Sequence, residues 1–203
     1  MTALALVSKG GLAFLCEPAG GGSASVAVDV SEQRTSITDN TTYCSEANSA
    51  RTAIAAPRTI CVVVDMTTGS SGFLVHHGTS AVAYKYAISK SGTNIRLSEN
   101  AAVILTVAIP GLAAASRKFL IHWAQRPDGA FNFNECVIYN FTTAAWVFGS
   151  VTATAITPVS TDTFTIGATT TGTSAYSLGM TAFYTVAVGR RFHSTTESVI
   201  DHV

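Results

Sequence analysis

The sequence predicts an all-β chain folded as an antiparallel β-sandwich. Short apolar runs with period-2 alternation recur along it. Turn residues punctuate these runs at roughly 8–12-residue intervals. No amphipathic stretch of about ten residues intervenes to supply the crossover helices of an α/β fold.

Taken in order, Ile60 to Met66 is a β-branched run, expected where a strand is covered on both faces or sits at a sheet centre. Thr67 to Gly72 reads as a turn, and Phe73 to His77 as the next strand, stopped by Gly78. Ala81 to Ser89 is expected to set Val82, Tyr84, Tyr86 and Ile88 on one face, before Ser91 to Asn94 turns the chain into Ile95 to Leu97. Val103 to Ile109 ends at Pro110-Gly111, which cannot continue a central ladder. Leu112 to Lys118 has some helix propensity but is too short to form a helix of consequence. Phe119 to Gln125 places Phe119, Ile121 and Trp123 on one side and Leu120, His122 and Ala124 on the other. Arg126 to Gly129 reads as a turn, followed by strands at Cys136 to Phe141 and Ala144 to Phe148. Two closing strands lie between Asp162 and Arg191: Phe164 and Ile166 share one face of the first, and Met180, Ala182, Tyr184, Val186 and Val188 one face of the second. The earlier part is less periodic. Gly20 to Ala24 reads as a flexible loop, and residues 30–58 as loop, short edge strands or contact surface.

Composition narrows the function classes. The chain has 203 residues, of which 47% are hydrophobic and only 12% charged, with a formal net charge of zero. Enough apolar surface is available to exclude disorder by composition. Arg117-Lys118 and Arg190-Arg191 are the only adjacent basic pairs, so a nucleic-acid footprint is missing. No apolar run reaches the roughly 20 residues that span a bilayer. Lys9 follows the first apolar stretch and Gly10-Gly11 interrupts it, so no export signal is expected and synthesis in a cytoplasm is. Low charge gives weak self-repulsion, which favours association with copies of the chain or with a partner.

Metal and catalytic signatures are missing too. Cys16, Cys44, Cys61 and Cys136 form no C-x-x-C pair, and Cys61 and Cys136 sit where a small buried apolar residue is wanted; their disulfide state stays open. His76 and His77 are adjacent in a strand, so they point to opposite faces and cannot chelate one ion together. His122, between Ile121 and Trp123, reads as a hydrogen-bonded core or interface histidine. No cofactor or metal is expected. No strand carries alternate carboxylates of the kind that flank a scissile glycosidic bond, and no G-x-S-x-G elbow is present.

From about Arg51 to Glu197 the order of elements resembles a laminin G-like module of the concanavalin A-like lectin and glucanase superfamily. The resemblance rests on Ile60 to Asp65, Phe73 to Gly78, Tyr84-Lys85-Tyr86, Phe119 to Gln125 before Pro127-Asp128-Gly129, Val137-Ile138-Tyr139, Thr165-Ile166-Gly167 and Leu178-Gly179-Met180. Tyr139 is followed by Asn140-Phe141-Thr142-Thr143 where many members have Asp-Gly, and no acidic cluster supplies the six to eight oxygens a calcium ion requires. The resemblance implies a single jelly-roll domain over 51–203, with 1–50 as an irregular amino-terminal extension that is part of it or packed on it. It also implies a non-catalytic structural module, as in bacteriophage capsid decoration or tail proteins, that forms a homo-oligomer such as a trimer within a virion. The alternative is a lectin-like module for cell-surface glycan. Trp123, Trp146 and Tyr139 mostly alternate into positions that read as core, which leaves Tyr43 and Tyr176, in polar segments, as candidate ligand-binding aromatics.

Overall fold

The computed structural model describes residues 53, 55–80 and 82–167, together with the backbone of six further strands. The strands, in chain order, are β1 (Leu4–Leu6), β2 (Phe14–Cys16), β3 (Ala27–Asp29), β4 (Arg34–Ser36), β5 (Cys44–Glu46), β6 (Arg58–Met66), β7 (Gly72–Gly78), β8 (Tyr84–Ser91), β9 (Asn94–Glu99), β10 (Ala102–Ala108), β11 (Arg117–Asp128), β12 (Phe131–Asn140), β13 (Ala145–Thr154), β14 (Thr163–Ile166) and β15 (Phe183–Gly189). No helix forms among the described residues; Leu112 to Ser116 is irregular and leads directly into β11.

Two sheets make the sandwich. One has six strands in the order β10-β9-β8-β7-β14-β5, the other seven in the order β13-β12-β11-β6-β15-β4-β3, and β1 pairs with β2 alone. The pairings within both sheets are antiparallel. Strands from residues 27–46 therefore extend both sheets: β3 and β4 beyond β15, and β5 beside β14.

The inner faces follow the period-2 pattern. Ile60, Val62 and Val64 of β6, Phe119, Ile121 and Trp123 of β11, and Cys136 and Ile138 of β12 meet Val75, Tyr86, Ile88, Leu97, Phe164 and Ile166 of the facing sheet in one buried cluster. The β6 run is buried on both faces apart from Val63, as its β-branched composition predicts for a strand between β11 and β15. Val186 and Val188 of β15 occupy the register positions of Val62 and Ile60, and an irregularity between Phe183 and Thr185 breaks the strict alternation expected for this strand. Met180 and Ala182 lie outside the described residues.

Other expected boundaries move for local reasons. Val82 is not part of β8 and is 80% exposed, because the β7–β8 connection continues to Ala83. The turn expected at Arg126 to Gly129 tightens: Pro127 and Asp128 still pair with Asn132 and Phe131, and the chain reverses at Gly129, whose φ of 63° suits glycine. Pro127 is tolerated in a ladder end that a central position would not permit.

The sandwich closes along one side where the edge strands β10 and β13 meet. At Gly149 an added Cβ would lie 2.9 Å from Val107 Cγ2, with both Leu105 methyl carbons at 3.6 Å. Glycine is needed there for the approach of the two sheets. Gly149→Ala should cost about 1–2 kcal/mol through overpacking of Val107. Chemical denaturation checks this, and Gly149→Ala/Val107→Ala should lose less than the sum of its parts.

Candidate functional site

The outer face of the seven-stranded sheet changes character toward its edge. Along β13 the exposure alternates strictly, so Trp146, Phe148, Ser150, Thr152 and Thr154 face solvent while Val147 and Val151 face inward. Trp146 is 65% exposed, Phe131 49% and Phe148 44%. The core position expected for Trp146 is thereby corrected: the inward set of β13 is the other parity, because Val147 packs on the core and Gly149 admits Val107. Trp123 is a core residue as expected, with no exposed surface.

Register assembles these side chains into cross-strand rows. Trp146 stands opposite Tyr139, Phe148 opposite Val137, Ser150 opposite Glu135, Thr152 opposite Phe133, and Thr154 opposite Phe131. One row further in, β11 places His122 opposite Val137 and Arg126 opposite Phe133. The guanidinium of Arg126 lies 4.6 Å from the centre of the Phe133 ring, a cation–π contact that fixes both groups. The strip thus has aromatic groups at each end and hydroxyl and carboxylate groups between them.

The hairpin that presents Trp146 is set by Asn140. Its Oδ1 accepts hydrogen bonds from the backbone N–H of Thr142 at 2.9 Å and Thr143 at 3.3 Å, and its Nδ2 donates to the carbonyls of Pro110 and Gly111. An asparagine side chain that accepts from the backbone two and three residues on in this way folds the chain into its turn. Ala144 completes the reversal with φ at 52°. Tyr139 and Phe141 pack edge to face, with ring centres 5.1 Å apart, next to the Trp146 row.

The inner face carries a buried polar row that the sequence reading did not single out. Arg58, Gln125 and Asn134 are side by side on β6, β11 and β12, and Glu99, Tyr86 and His77 are side by side on β9, β8 and β7 opposite them. Arg58 pairs with Glu99 at 3.2 Å across the sandwich. The Arg58 guanidinium sits 4.2 Å from the centre of the Tyr86 ring and 5.3 Å from that of Trp123. Gln125 Nε2 donates to Glu99 Oε1 and to Asn134 Oδ1, which also accepts from Trp123 Nε1 at 2.9 Å. Burial pulls the Arg58 guanidinium down to about 10, against the opposing pull of Tyr86 and Glu99, so it stays charged at neutral pH. Burial likewise pushes the Glu99 carboxyl up, opposed by the Gln125 hydrogen bond and by Arg58. One signal for this row was present: Gln125 and Asn134 continue the inward parity of Trp123 and Cys136, so polar groups fall where core is due.

His76 and His77 point to opposite faces, as the strand requires. His77 stacks on Tyr86 inside, with ring centres 4.8 Å apart, whereas His76 packs outside between Phe73 and Tyr84. His122 is buried on the outer face of β11. Cys61 and Cys136 are free, buried thiols, each pushed up to about 12 by burial, and so poor nucleophiles. Tyr43, Tyr176 and the side chains of Cys16 and Cys44 lie outside the described residues. Among the described residues no three His, Cys, Asp or Glu side chains come together as metal ligands.

Hydrolysis of a glycoside finds no carboxylate pair on the outer strip. Glu135 pairs with Ala124 and Asp128 lies four residues further along β11. That separation is about 13 Å along the strand, beyond the roughly 5–9.5 Å that retaining and inverting mechanisms use.

No protein-family model matches this sequence, and no curated protein is significantly similar to it. Solved structures similar to the chain include a homodimeric agglutinin from chicken liver, with 9% identity, a TM-score of 0.37, and coverage of 72% of this chain and 99% of that one. A toad ovary galectin in complex with thio-digalactose has 10% identity, a TM-score of 0.34, and coverage of 72% and 97%. An alginate lyase of polysaccharide lyase family 7 has 11% identity, a TM-score of 0.33, and coverage of 76% and 67%.

Proposed function

We propose that the chain is a non-catalytic carbohydrate-binding module whose ligand lies along the outer face of β12 and β13. The exposed Trp146 carries this reading. A solvated indole on a flat sheet offers a π-face to the C–H face of a pyranose ring, at a small conformational cost. Tyr139 and Phe148 widen the platform, and Glu135, Ser150 and Thr152 supply acceptors and donors for sugar hydroxyls along the same rows. From Trp146 to Thr154 the strip runs about 27 Å, long enough for an oligosaccharide.

The assembly reading, a homo-oligomeric virion component such as a capsid decoration or tail protein, has one observation in its favour. β13 is the edge strand of its sheet and bears exposed aromatic side chains, a combination that invites pairing with another chain.

One experiment separates the two. On a glycan array followed by calorimetry, Trp146→Ala is expected to weaken the best oligosaccharide by about tenfold or more. It should leave the melting temperature and the sedimentation coefficient unchanged. A variant that binds no glycan differently but sediments as a smaller species would overturn the carbohydrate reading and favour assembly.

A further inference from the structure

We infer that a cleft at one end of the sandwich is a second ligand site, shaped for a single hexose-sized sugar residue. The inference deepens the carbohydrate reading and rests on it for the ligand class, but it concerns a different surface from the β12–β13 strip.

The cleft has a volume of about 500 Å³ and is walled by three loops and the start of β8. Thr79, Val82 and Ala83 come from the β7–β8 connection, Asn100 and Ala101 from the β9–β10 turn, Val159, Thr161 and Asp162 from the approach to β14, and Tyr84 and Lys85 from β8 itself. Its size suits one sugar ring with hydration and not an extended chain.

Three features of its lining point to a ligand. First, Asp162 is buried, yet its Oδ2 makes no hydrogen bond, the His77 Nδ1 lying 3.8 Å away. That oxygen is enclosed beside the His77 imidazole, which leaves Oδ1 of this cleft-lining carboxylate to accept from a ligand hydroxyl. Second, Val82 and Val159, 80% and 41% exposed, both belong to this cleft. Large apolar side chains held open beside a carboxylate match the two sides of a pyranose, a C–H face and a hydroxyl edge. Third, Asn100 and Ala101 adopt φ of 46° and 62°, left-handed in succession without glycine. Such backbone persists where the surroundings hold it, here partly through Asn100 N–H donating to the Lys85 carbonyl at 3.0 Å. It brings the Asn100 amide, both donor and acceptor, to the same cleft as the Thr161 hydroxyl and the Lys85 ammonium.

In the bound state the Asp162 carboxylate accepts hydrogen bonds from ring hydroxyls, Asn100 and Thr161 fix the neighbouring hydroxyl, and Val82 with Val159 covers the apolar face. The loop from Ala155 to Asp162 continues directly from the last strip residue, Thr154, so the two sites flank one connection.

The test is a titration of the full ¹⁵N-labelled chain with the methyl glycosides of glucose, galactose and mannose, to about 50 mM, a range that resolves millimolar affinity. At least one glycoside is expected to shift the amides of Tyr84, Asn100 and Ala101. Asp162→Asn should weaken it by about tenfold or more, because a hydrogen bond to a charged acceptor becomes one to a neutral group. Thr161→Arg, a change at an exposed rim position, should abolish it without altering the melting temperature, which keeps the test valid if the Asp162 variant folds poorly. Trp146→Ala should leave it unchanged. The inference is overturned if no glycoside shifts these amides, if Thr161→Arg binds as the unsubstituted chain does, or if only methylammonium shifts them. Oligosaccharide binding that is lost in Trp146→Ala while the cleft stays silent would sink this site and leave the strip standing. Monosaccharide binding in the cleft with no effect of Trp146→Ala on any glycan would do the reverse.

Discussion

Replacing Arg58 with Met is expected to destabilise the folded chain by about 3–5 kcal/mol, more than any other single surface or core change considered for this protein. Arg58 has no exposed surface, pairs with Glu99 at 3.2 Å, and lies over the faces of Tyr86 and Trp123. Removing it leaves a carboxylate enclosed between two sheets. Gln125 still donates to Glu99 Oε1, but Glu99 Oε2 has no hydrogen bond even now, so the lost cation is not replaced. Methionine keeps much of the packing against the two rings, which isolates the charge effect from a cavity effect. For a domain of this size the loss corresponds to a fall of roughly 6–20 °C in melting temperature. Arg58→Met/Glu99→Met should recover most of it, since a buried ion pair replaced as a whole by apolar groups is often neutral or stabilising. Thermal melts of the two variants decide the matter. A single variant that melts within about a degree of the unsubstituted chain would show that the pair contributes nothing to holding the sheets together.

The same row shows where sequence reasoning succeeds and where it stops. Strand existence was legible because it is a local property. Ile60 to Met66, Phe119 to Gln125 and Phe164 to Ile166 announce themselves by β-branched or alternating side chains, and each is a strand with the expected faces. Partnership is not local. Arg58 and Glu99 are 41 positions apart, and nothing near either residue indicates that the other lies across the sandwich. Gln125 and Asn134 were visible as polar groups of inward parity, but their partners depend on the order of strands in both sheets. Trp146 shows a different limit. Alternation at Ala144 to Phe148 states that its two faces differ, but not which one is inside; that follows from the edge position of β13 and from the contact of Gly149 with Val107. The cleft could not be read from sequence at all, because its walls come from loops whose spatial neighbours are set by the sheets they join.

Acidification from pH 6.5 toward pH 4 is expected to remove on the order of 3 kcal/mol of stability through His76 alone. The imidazole is enclosed between the rings of Phe73 and Tyr84, with centres 5.3 and 4.9 Å away, and burial lowers it from 6.5 to about 4. In the unfolded chain His76 takes up a proton near its ordinary value; in the folded chain it resists until much lower pH. Between those two values the unfolded state binds more protons, so stability falls as pH falls, by about 1.4 kcal/mol per unit. Above 6.5 the contribution is fully present. Glu99 acts in the opposite sense. Its carboxyl is raised above 4.5, so the folded state holds the proton longer and acidification through that window stabilises the fold. A single pH–stability curve therefore mixes the two, and comparison with His76→Phe separates them. Phenylalanine fills the site between the two rings and does not titrate, whereas Glu99 is present in both chains and cancels. Urea denaturation at closely spaced pH values should show the two chains diverging below pH 6.5, the unsubstituted one losing stability faster, until their difference levels off near pH 4. Parallel curves across that range would mean that His76 takes up its proton at the same pH in the folded and unfolded chains, and that burial between Phe73 and Tyr84 does not hold it neutral.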